Sequence, residues 1–358
     1  MTPLPTKGTL VLHRILLAAT AAGLLAGLVT AAPAGADTST PTARCRDVTV
    51  PVSIAAGQPR SYHIWGRLCT PAGRAASTVQ VLIHGLNYSH VYWDFPFRAH
   101  RYSYVKRANQ TGYATFNLDR IGVGRSSHPA SKEVTLQSNA LTIAQVVAAL
   151  RTGKVGPRAF ADVVLVGHSF GSEVAKFAAS RFQAADALIL TGNAHRVSPS
   201  GAELAGRYGQ PVSEVPRLAA QVPPGDDGYV TVKDEQRPAV MYYVPGADPQ
   251  VIARDSAGKE TNTMSEIFSL GDAGAPGVTE AIRVPVLFVV GNRDRLVCAA
   301  DANDCTSPAA LAADERPLYP AAPRVDAVVL DDVGHAINLH RRAPAAYANV
   351  LNWLDRSM

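Results

Sequence analysis

A serine between two glycines joins a predicted strand to a predicted helix near the middle of the chain. Residues 163–166 are typical of a strand buried on both faces, and residues 172–182 carry apolar side chains at helical spacing. Residues 167–171 read Gly-His-Ser-Phe-Gly and fit G-x-S-x-G, a tight turn in which glycine relieves crowding. Such a turn exposes the serine hydroxyl at a helix N-terminus, where developing negative charge is favoured. The sequence therefore predicts a nucleophile at Ser169; the alternative is a serine that only caps the helix.

Strands and helices alternate along most of the chain. The predicted strands are 48–54, 60–68, 79–83, 113–118, 163–166, 187–190, 285–290 and 325–330, and the predicted helices are 102–110, 138–150, 172–182 and 344–353. The first two strands are separated by a Gly- and Pro-containing stretch and indicate a hairpin. The remaining alternation favours an α/β fold with a mostly parallel sheet flanked by helices, in which ligands bind beyond the carboxyl ends of the strands.

The alternation lapses in residues 196–283, where prolines are frequent and the predicted helices are short. Because a compact domain rarely contains so long a structureless loop, we predict an inserted cap or lid at 196–283. The two parts of the α/β core are then 37–195 and 284–358.

The first 36 residues have the pattern of a secretory signal peptide. A basic start with Lys7 and Arg14 precedes an apolar stretch at 15–32, and Ala34-Gly35-Ala36 supplies small residues for cleavage. The alternative is an uncleaved anchor, although the stretch is rich in Ala and Gly and weakly hydrophobic for a membrane span. We expect cleavage after Ala36, a secreted protein, and no integral membrane segment in the remainder.

Four cysteines follow the predicted leader, and an even number in an exported chain indicates disulfides. Three pairings are possible, of which the local pairs Cys45–Cys69 and Cys298–Cys305 are the most economical. A zinc site is the alternative, but CxxC spacing and nearby histidines are missing. We expect no metal site.

Charge and motifs argue against several other functions. The 34 Lys and Arg outnumber the 29 Asp and Glu by five, without a basic run or stripe, so nucleic-acid binding is not expected. The sequence contains no Gly-rich phosphate loop, zincin motif or dinucleotide fingerprint, and we predict no cofactor. Nothing in the sequence indicates an obligate protein partner.

Five motifs follow one another from about residue 78 onwards: His84-Gly85, the Asp-Arg-Ile-Gly-Val-Gly-Arg-Ser turn at 119–126, the Gly-His-Ser-Phe-Gly turn, Gly-Asn-Arg-Asp at 291–294, and Gly334-His335. In these motifs and their order the chain resembles the α/β-hydrolase superfamily, particularly its exported, esterase- and lipase-like bacterial members. The superfamily order of nucleophile, acid and base implies a triad of Ser169, Asp294 and His335. It also implies an oxyanion hole formed by the backbone N–H groups of Leu86 and Phe170.

Other polar residues near these motifs receive other roles. Asp119 and Arg120 resemble a structural turn of the superfamily and are assigned no catalytic role, and His84 is expected to hold its turn. His168 and His340 are less well placed than His335, and Asp331 and Asp332 less well than Asp294. Asp294 could instead cap a turn, and His335 could be a loop or core histidine.

Three residues are candidates for the substrate pocket. Tyr88 and Trp93 belong to an aromatic cluster after the predicted oxyanion turn, and His195 follows a strand at the mouth of the predicted cap. Packing in the core is the alternative for the aromatic pair.

The predicted activity is hydrolysis of a small-molecule carboxylic ester, lipids and lactones included, through an acyl-enzyme. A peptidase or amidase of the same fold, a cofactor-free perhydrolase and a non-catalytic binding protein are the alternatives.

Overall fold

The computed structural model describes residues 43–73, 75–207 and 209–358. The predicted signal peptide lies outside the described residues. The strands are β1 Ala43–Val52, β2 Tyr62–Pro71, β3 Thr78–Ile83, β4 Ala114–Leu118, β5 Asp162–His168, β6 Ala187–Thr191, β7 Gly209–Pro211, β8 Tyr229–Val232, β9 Asn262–Thr263, β10 Val286–Gly291 and β11 Val325–Leu330. The helices are α1 Ala99–Tyr102, α2 Tyr104–Gln110, α3 Leu136–Arg151, α4 Phe170–Phe182, α5 Pro199–Gly206, α6 Pro216–Ala219, α7 Arg237–Met241, α8 Pro249–Ala257, α9 Met264–Ser269, α10 Pro308–Glu315 and α11 Ala343–Ser357.

The main sheet has the order β1-β2-β4-β3-β5-β6-β10-β11. Pairing is antiparallel for β1 with β2 and for β2 with β4, and parallel from β4 through β11. The strands β3, β4, β6 and β10 are buried along their whole length, as their continuous apolar runs predict. The prediction of a mostly parallel sheet entered through a hairpin is confirmed. The carboxyl ends of β3, β5, β6, β10 and β11 therefore meet at one edge.

The helix predicted at 102–110 corresponds to α2, Tyr104–Gln110, and a separate short helix, α1, ends at Tyr102, with Ser103 between the two. Ser103 has extended backbone angles, and its hydroxyl accepts a hydrogen bond from Lys106 N–H at the start of α2. The same hydroxyl donates to Asp94 Oδ1 at 2.7 Å. A serine used as an N-cap ends one helix and starts the next, which apolar periodicity alone does not reveal.

Both local cysteine pairs form disulfides. Cys45–Cys69 joins directly opposed residues of β1 and β2, and Cys298–Cys305 closes a loop after β10. Among the described helices, none has the length and apolar character that crossing a bilayer requires.

Between β6 and β10 the described residues form short helices and a small antiparallel sheet of order β7-β8-β9. Part of this segment packs directly on the loop after β11. Met241 C=O accepts from Ala336 N–H at 2.8 Å, and a Cβ at Gly246 would lie only 2.0 Å from Asp332 O. The stretch around α7 is thus tightly joined to the main sheet.

Candidate active site

Ser169 occupies the sharp turn between β5 and α4. Its φ of 53° and ψ of −122° are unusual for a residue with a side chain, and such strain is concentrated at functional sites. The glycines of the turn are required by close packing, because a Cβ at Gly171 would lie 2.2 Å from Ile83 O and one at Gly167 would lie 2.4 Å from Ser172 Cα. The two glycines therefore allow α4 to pack closely against the ends of β3 and β5, and the serine lies at the tip of the turn.

Asp294 and His335 form a buried pair beyond the ends of β10 and β11. His335 Nδ1 lies 2.8 Å from Asp294 Oδ2, and the other carboxylate oxygen accepts from Leu296 N–H at 2.9 Å. Because the carboxylate can only accept, Nδ1 carries the proton and Nε2 is left as an acceptor. His335 Nε2 is buried and has no hydrogen-bond partner among the described residues.

The end of β6 brings the serine and the imidazole to the same place. Ser169 N–H donates to Thr191 O at 2.8 Å. The next residue, Gly192, has a φ of 57°, and a Cβ there would lie 3.2 Å from His335 Cε1. The His335 ring therefore lies over Gly192, next to the strand end that holds the serine backbone.

The two predicted oxyanion donors flank the serine. A Cβ at Gly85 would lie 3.0 Å from Ser169 Cβ, so the turn that carries Leu86 touches the serine. Phe170 is the first residue of α4. Neither Leu86 N–H nor Phe170 N–H donates to a group within the described ranges. Both donors are therefore available to a substrate oxygen.

His340 has a positioning role that the sequence did not indicate. Its Nε2 accepts from Gly334 N–H at 3.0 Å and from Tyr243 N–H at 3.1 Å, and its Nδ1 donates to Ala336 O at 2.8 Å. The ring thus holds the backbone on both sides of His335. The only signal in the sequence is a second histidine five residues later, which is too weak to define this contact.

The candidate pocket residues have different environments. Tyr88 is buried, and its ring makes an edge contact with His168, whose ring centroid lies 5.0 Å from that of His335. Trp93 packs on Tyr104, and Tyr88 and Trp93 both belong to one buried hydrophobic cluster, as the alternative interpretation of the aromatic pair predicts. His195 is partly exposed, and its Nδ1 lies 2.8 Å from the buried carboxylate of Glu315. Of the three, Tyr88 packs most directly behind the turn that carries Ser169.

Cleft size does not indicate the position of this site. A surface cleft of about 540 Å³ lies beside the Cys298–Cys305 disulfide and is lined by neither Ser169 nor His335. The unpartnered Nε2 of His335 lies outside this cleft, and a buried polar atom without a partner is a chemical feature that a depression in a loop region is not.

Three buried histidines should make stability depend on pH. Burial lowers the pKa of His84 to about 3 and that of His340 to about 4, and burial followed by the nearby His335 lowers the pKa of His168 well below its usual value. Unfolding returns each of them to a pKa of about 6.5, so the unfolded chain binds more protons below that pH. We expect the free energy of unfolding to fall from pH 6.5 to 5, by at most about 1.4 kcal/mol per pH unit for each histidine.

Urea unfolding measured at pH 7, 6 and 5 checks this expectation. His340→Gln should reduce the slope by about one proton, whereas His100→Gln removes an exposed histidine outside the buried set and is the matched control. A stability that does not change over this range would contradict the neutral state of the three rings in the folded protein.

A parallel sheet with a serine at a strained strand-to-helix turn, and an Asp–His pair beyond two later strands, defines the α/β-hydrolase class. A model described as the alpha/beta hydrolase family matches residues 80–350, and the chain belongs to that family. No curated protein sequence matches the chain.

Solved structures share the fold at low sequence identity. An esterase from Thermogutta terrifontis is 19% identical with a TM-score of 0.55, over 87% of this chain and 99% of the esterase. A monoglyceride lipase variant from Saccharomyces cerevisiae is 14% identical with a TM-score of 0.58, over 87% of this chain and 97% of the lipase. An enol-lactonase from Burkholderia xenovorans is 17% identical with a TM-score of 0.57, over 86% of this chain and the whole lactonase. At these identities the likeness concerns the fold.

Proposed function

We propose that the protein is an exported serine hydrolase that cleaves carboxylic esters, with lipid esters and lactones among its candidate substrates. The observation that carries the proposal is the unpartnered Nε2 of His335, held by Asp294 on its other nitrogen and lying beside the turn of Ser169. This arrangement supports a general base lying next to a nucleophile, because Gly192, which the His335 ring contacts, directly follows the residue that holds the Ser169 backbone.

The proposed catalytic cycle uses these residues, the ester and one water molecule. Ser169 Oγ attacks the ester carbonyl carbon while His335 Nε2 takes the hydroxyl proton. The negative oxygen of the tetrahedral intermediate accepts from Leu86 N–H and Phe170 N–H. The C–O bond breaks, and the alcohol leaves with the proton from His335. Water then attacks the acyl-enzyme with the same base, which releases the acid and restores Ser169.

Export and the inserted cap belong to the same proposal. The two disulfides support an oxidising compartment for residues 43–358. We also propose that residues 1–36 are removed on export and that residues 196–283 select the substrate. The esterase, lipase and lactonase activities of the three neighbours support an ester as the substrate class.

Labelling with a fluorophosphonate tests the nucleophile. We expect one label per folded molecule, at Ser169 by peptide mass analysis, because the activated serine attacks phosphorus as it would attack a carbonyl. Heat-denatured protein is the control and should not be labelled. A panel of p-nitrophenyl esters of increasing acyl length, with aminoacyl and peptidyl p-nitroanilides alongside, separates esterase from amidase. Folded protein that takes no label would contradict the proposal.

A further inference from the structure

Arg120, at the turn after β4, holds the strand end that carries one oxyanion donor. Its backbone N–H donates to His84 Nε2 at 3.0 Å, and its Nε donates to His84 O at 3.0 Å. Its Nη2 lies 3.4 Å from Gly85 O. The side chain of Arg120 is fully buried. The arginine therefore contacts both residues that precede Leu86.

These contacts fix the tautomer of His84. Because Nε2 accepts a hydrogen bond from the backbone N–H of Arg120, the ring hydrogen must be on Nδ1, which donates to Gly85 O at 2.9 Å. Gly85 C=O and Leu86 N–H belong to one planar trans peptide and point in opposite directions. The Gly85 carbonyl is held toward His84 Nδ1 and Arg120 Nη2. Leu86 N–H therefore points away from these two side chains.

Arg120 also contacts the second donor residue. Its guanidinium carbon lies 4.8 Å from the ring centroid of Phe170, within the range of a cation–π contact. Phe170 supplies the other predicted donor N–H from its backbone. One arginine side chain thus touches the residues on both sides of the proposed oxyanion hole.

The carboxylate that pairs with Arg120 belongs to the predicted insertion at 196–283. Glu266, on α9, forms a fully buried ion pair with Arg120 and accepts from Asn139 Nδ2 at 3.0 Å. Its second oxygen accepts from Thr263 N–H at 2.9 Å, in a capping box that fixes the start of α9. Loss of one partner of such a pair would leave a buried charge without compensation.

We propose that Arg120 and Glu266 form a positioning pair that aligns the oxyanion donors, with Glu266 supplied by the segment 196–283. This proposal rests on the proposed function and adds to it a residue of the insertion on which the chemical step depends. Neither side chain is a catalytic residue. They act through His84, Gly85 and Phe170.

Glu266→Gln is the variant that tests this pair, because it keeps the shape and removes the charge. We expect kcat for p-nitrophenyl esters to fall about 10- to 100-fold with KM unchanged, since a misaligned donor costs less than the 10²–10³ of a missing one. Affinity for a trifluoromethyl ketone, whose adduct with Ser169 places an oxyanion in the hole, should fall by the same factor. A merely structural role would not move kcat and this affinity together.

Asp226→Asn is the matched control. Asp226 also lies in 196–283, and in the described part of the chain its carboxylate accepts hydrogen bonds from Ser131 and from Gly228 N–H rather than from Arg120 or the oxyanion turn. It should leave kcat and ketone affinity near wild type. If Glu266→Gln does not fold, Arg120→Lys carries the same test, because it keeps the charge beside Glu266 and loses the planar group that reaches Gly85.

The outcomes separate the two proposals. If the wild type neither hydrolyses esters nor takes the label at Ser169, the proposed function is wrong. If the wild type is active and Glu266→Gln equals it, or Asp226→Asn falls as far, only the positioning pair is wrong.

Discussion

Ser169→Ala is expected to lower kcat for ester hydrolysis by about 10⁶-fold, the scale found when the nucleophile of such a triad is removed. The variant keeps the Cβ and the unusual backbone of the turn, so the fold should be retained. The hydroxyl of Ser169 makes no cap hydrogen bond to α4, and His335 Nε2 has no partner among the described residues, so removal of the hydroxyl should hardly change the melting temperature. The loss is therefore chemical rather than structural.

Initial rates on the best p-nitrophenyl ester, together with thermal unfolding, measure both effects. Ser180→Ala, on the same helix, is the matched control and should keep wild-type turnover. Substantial residual activity in Ser169→Ala, at the same melting temperature, would show that another residue or a water attacks the ester.

Asp294→Asn is expected to lower kcat by about 10⁴-fold, because it reverses the tautomer of His335. Leu296 N–H donates to Asp294 Oδ1, so the amide oxygen of an asparagine would stay on that side. Its NH₂ group would then face His335 Nδ1 and force that nitrogen to accept. The ring proton would move to Nε2, and the nitrogen that should take the serine proton would already be protonated.

Steady-state kinetics of Asp294→Asn beside Asp332→Asn test this argument. Asp332 also lies near His335 in the sequence, but its carboxylate is half exposed and 3.9 Å from Arg293 Nε. We expect Asp332→Asn to keep wild-type kcat. Equal losses in the two variants would contradict the assignment of Asp294 as the group that orients the imidazole.

The elements that carry the site could be predicted because their signals are local. The turn at 167–171 is bounded by a strand and a helix, and β10 and β11 are continuous apolar runs, so their ends were easily located. The register of the parallel strands then brings Ser169, Asp294 and His335 to one edge. The local disulfides were predicted in the same way, from two short separations.

The contacts that hold the site could not be predicted because they join distant residues. Glu266 reaches Arg120 across 146 residues, and only the folded chain shows that they meet. Apolar periodicity does not specify which buried carboxylate faces which guanidinium. His340 presents the same difficulty at short range, since its partners are backbone groups of neighbouring loops. Ser103 shows that a polar cap can move the start of a helix by two residues from where apolar periodicity places it.

Glu266 also restricts how this hydrolase could be re-engineered. A chimera that exchanges residues 196–283 for the corresponding piece of another hydrolase would remove the partner of Arg120. Grafts that transplant an acidic side chain at the equivalent place should keep turnover, and grafts that lack one should bind new ligands but process them slowly. On the proposed role of Glu266, a library design that varies residues 196–283 should hold position 266 constant.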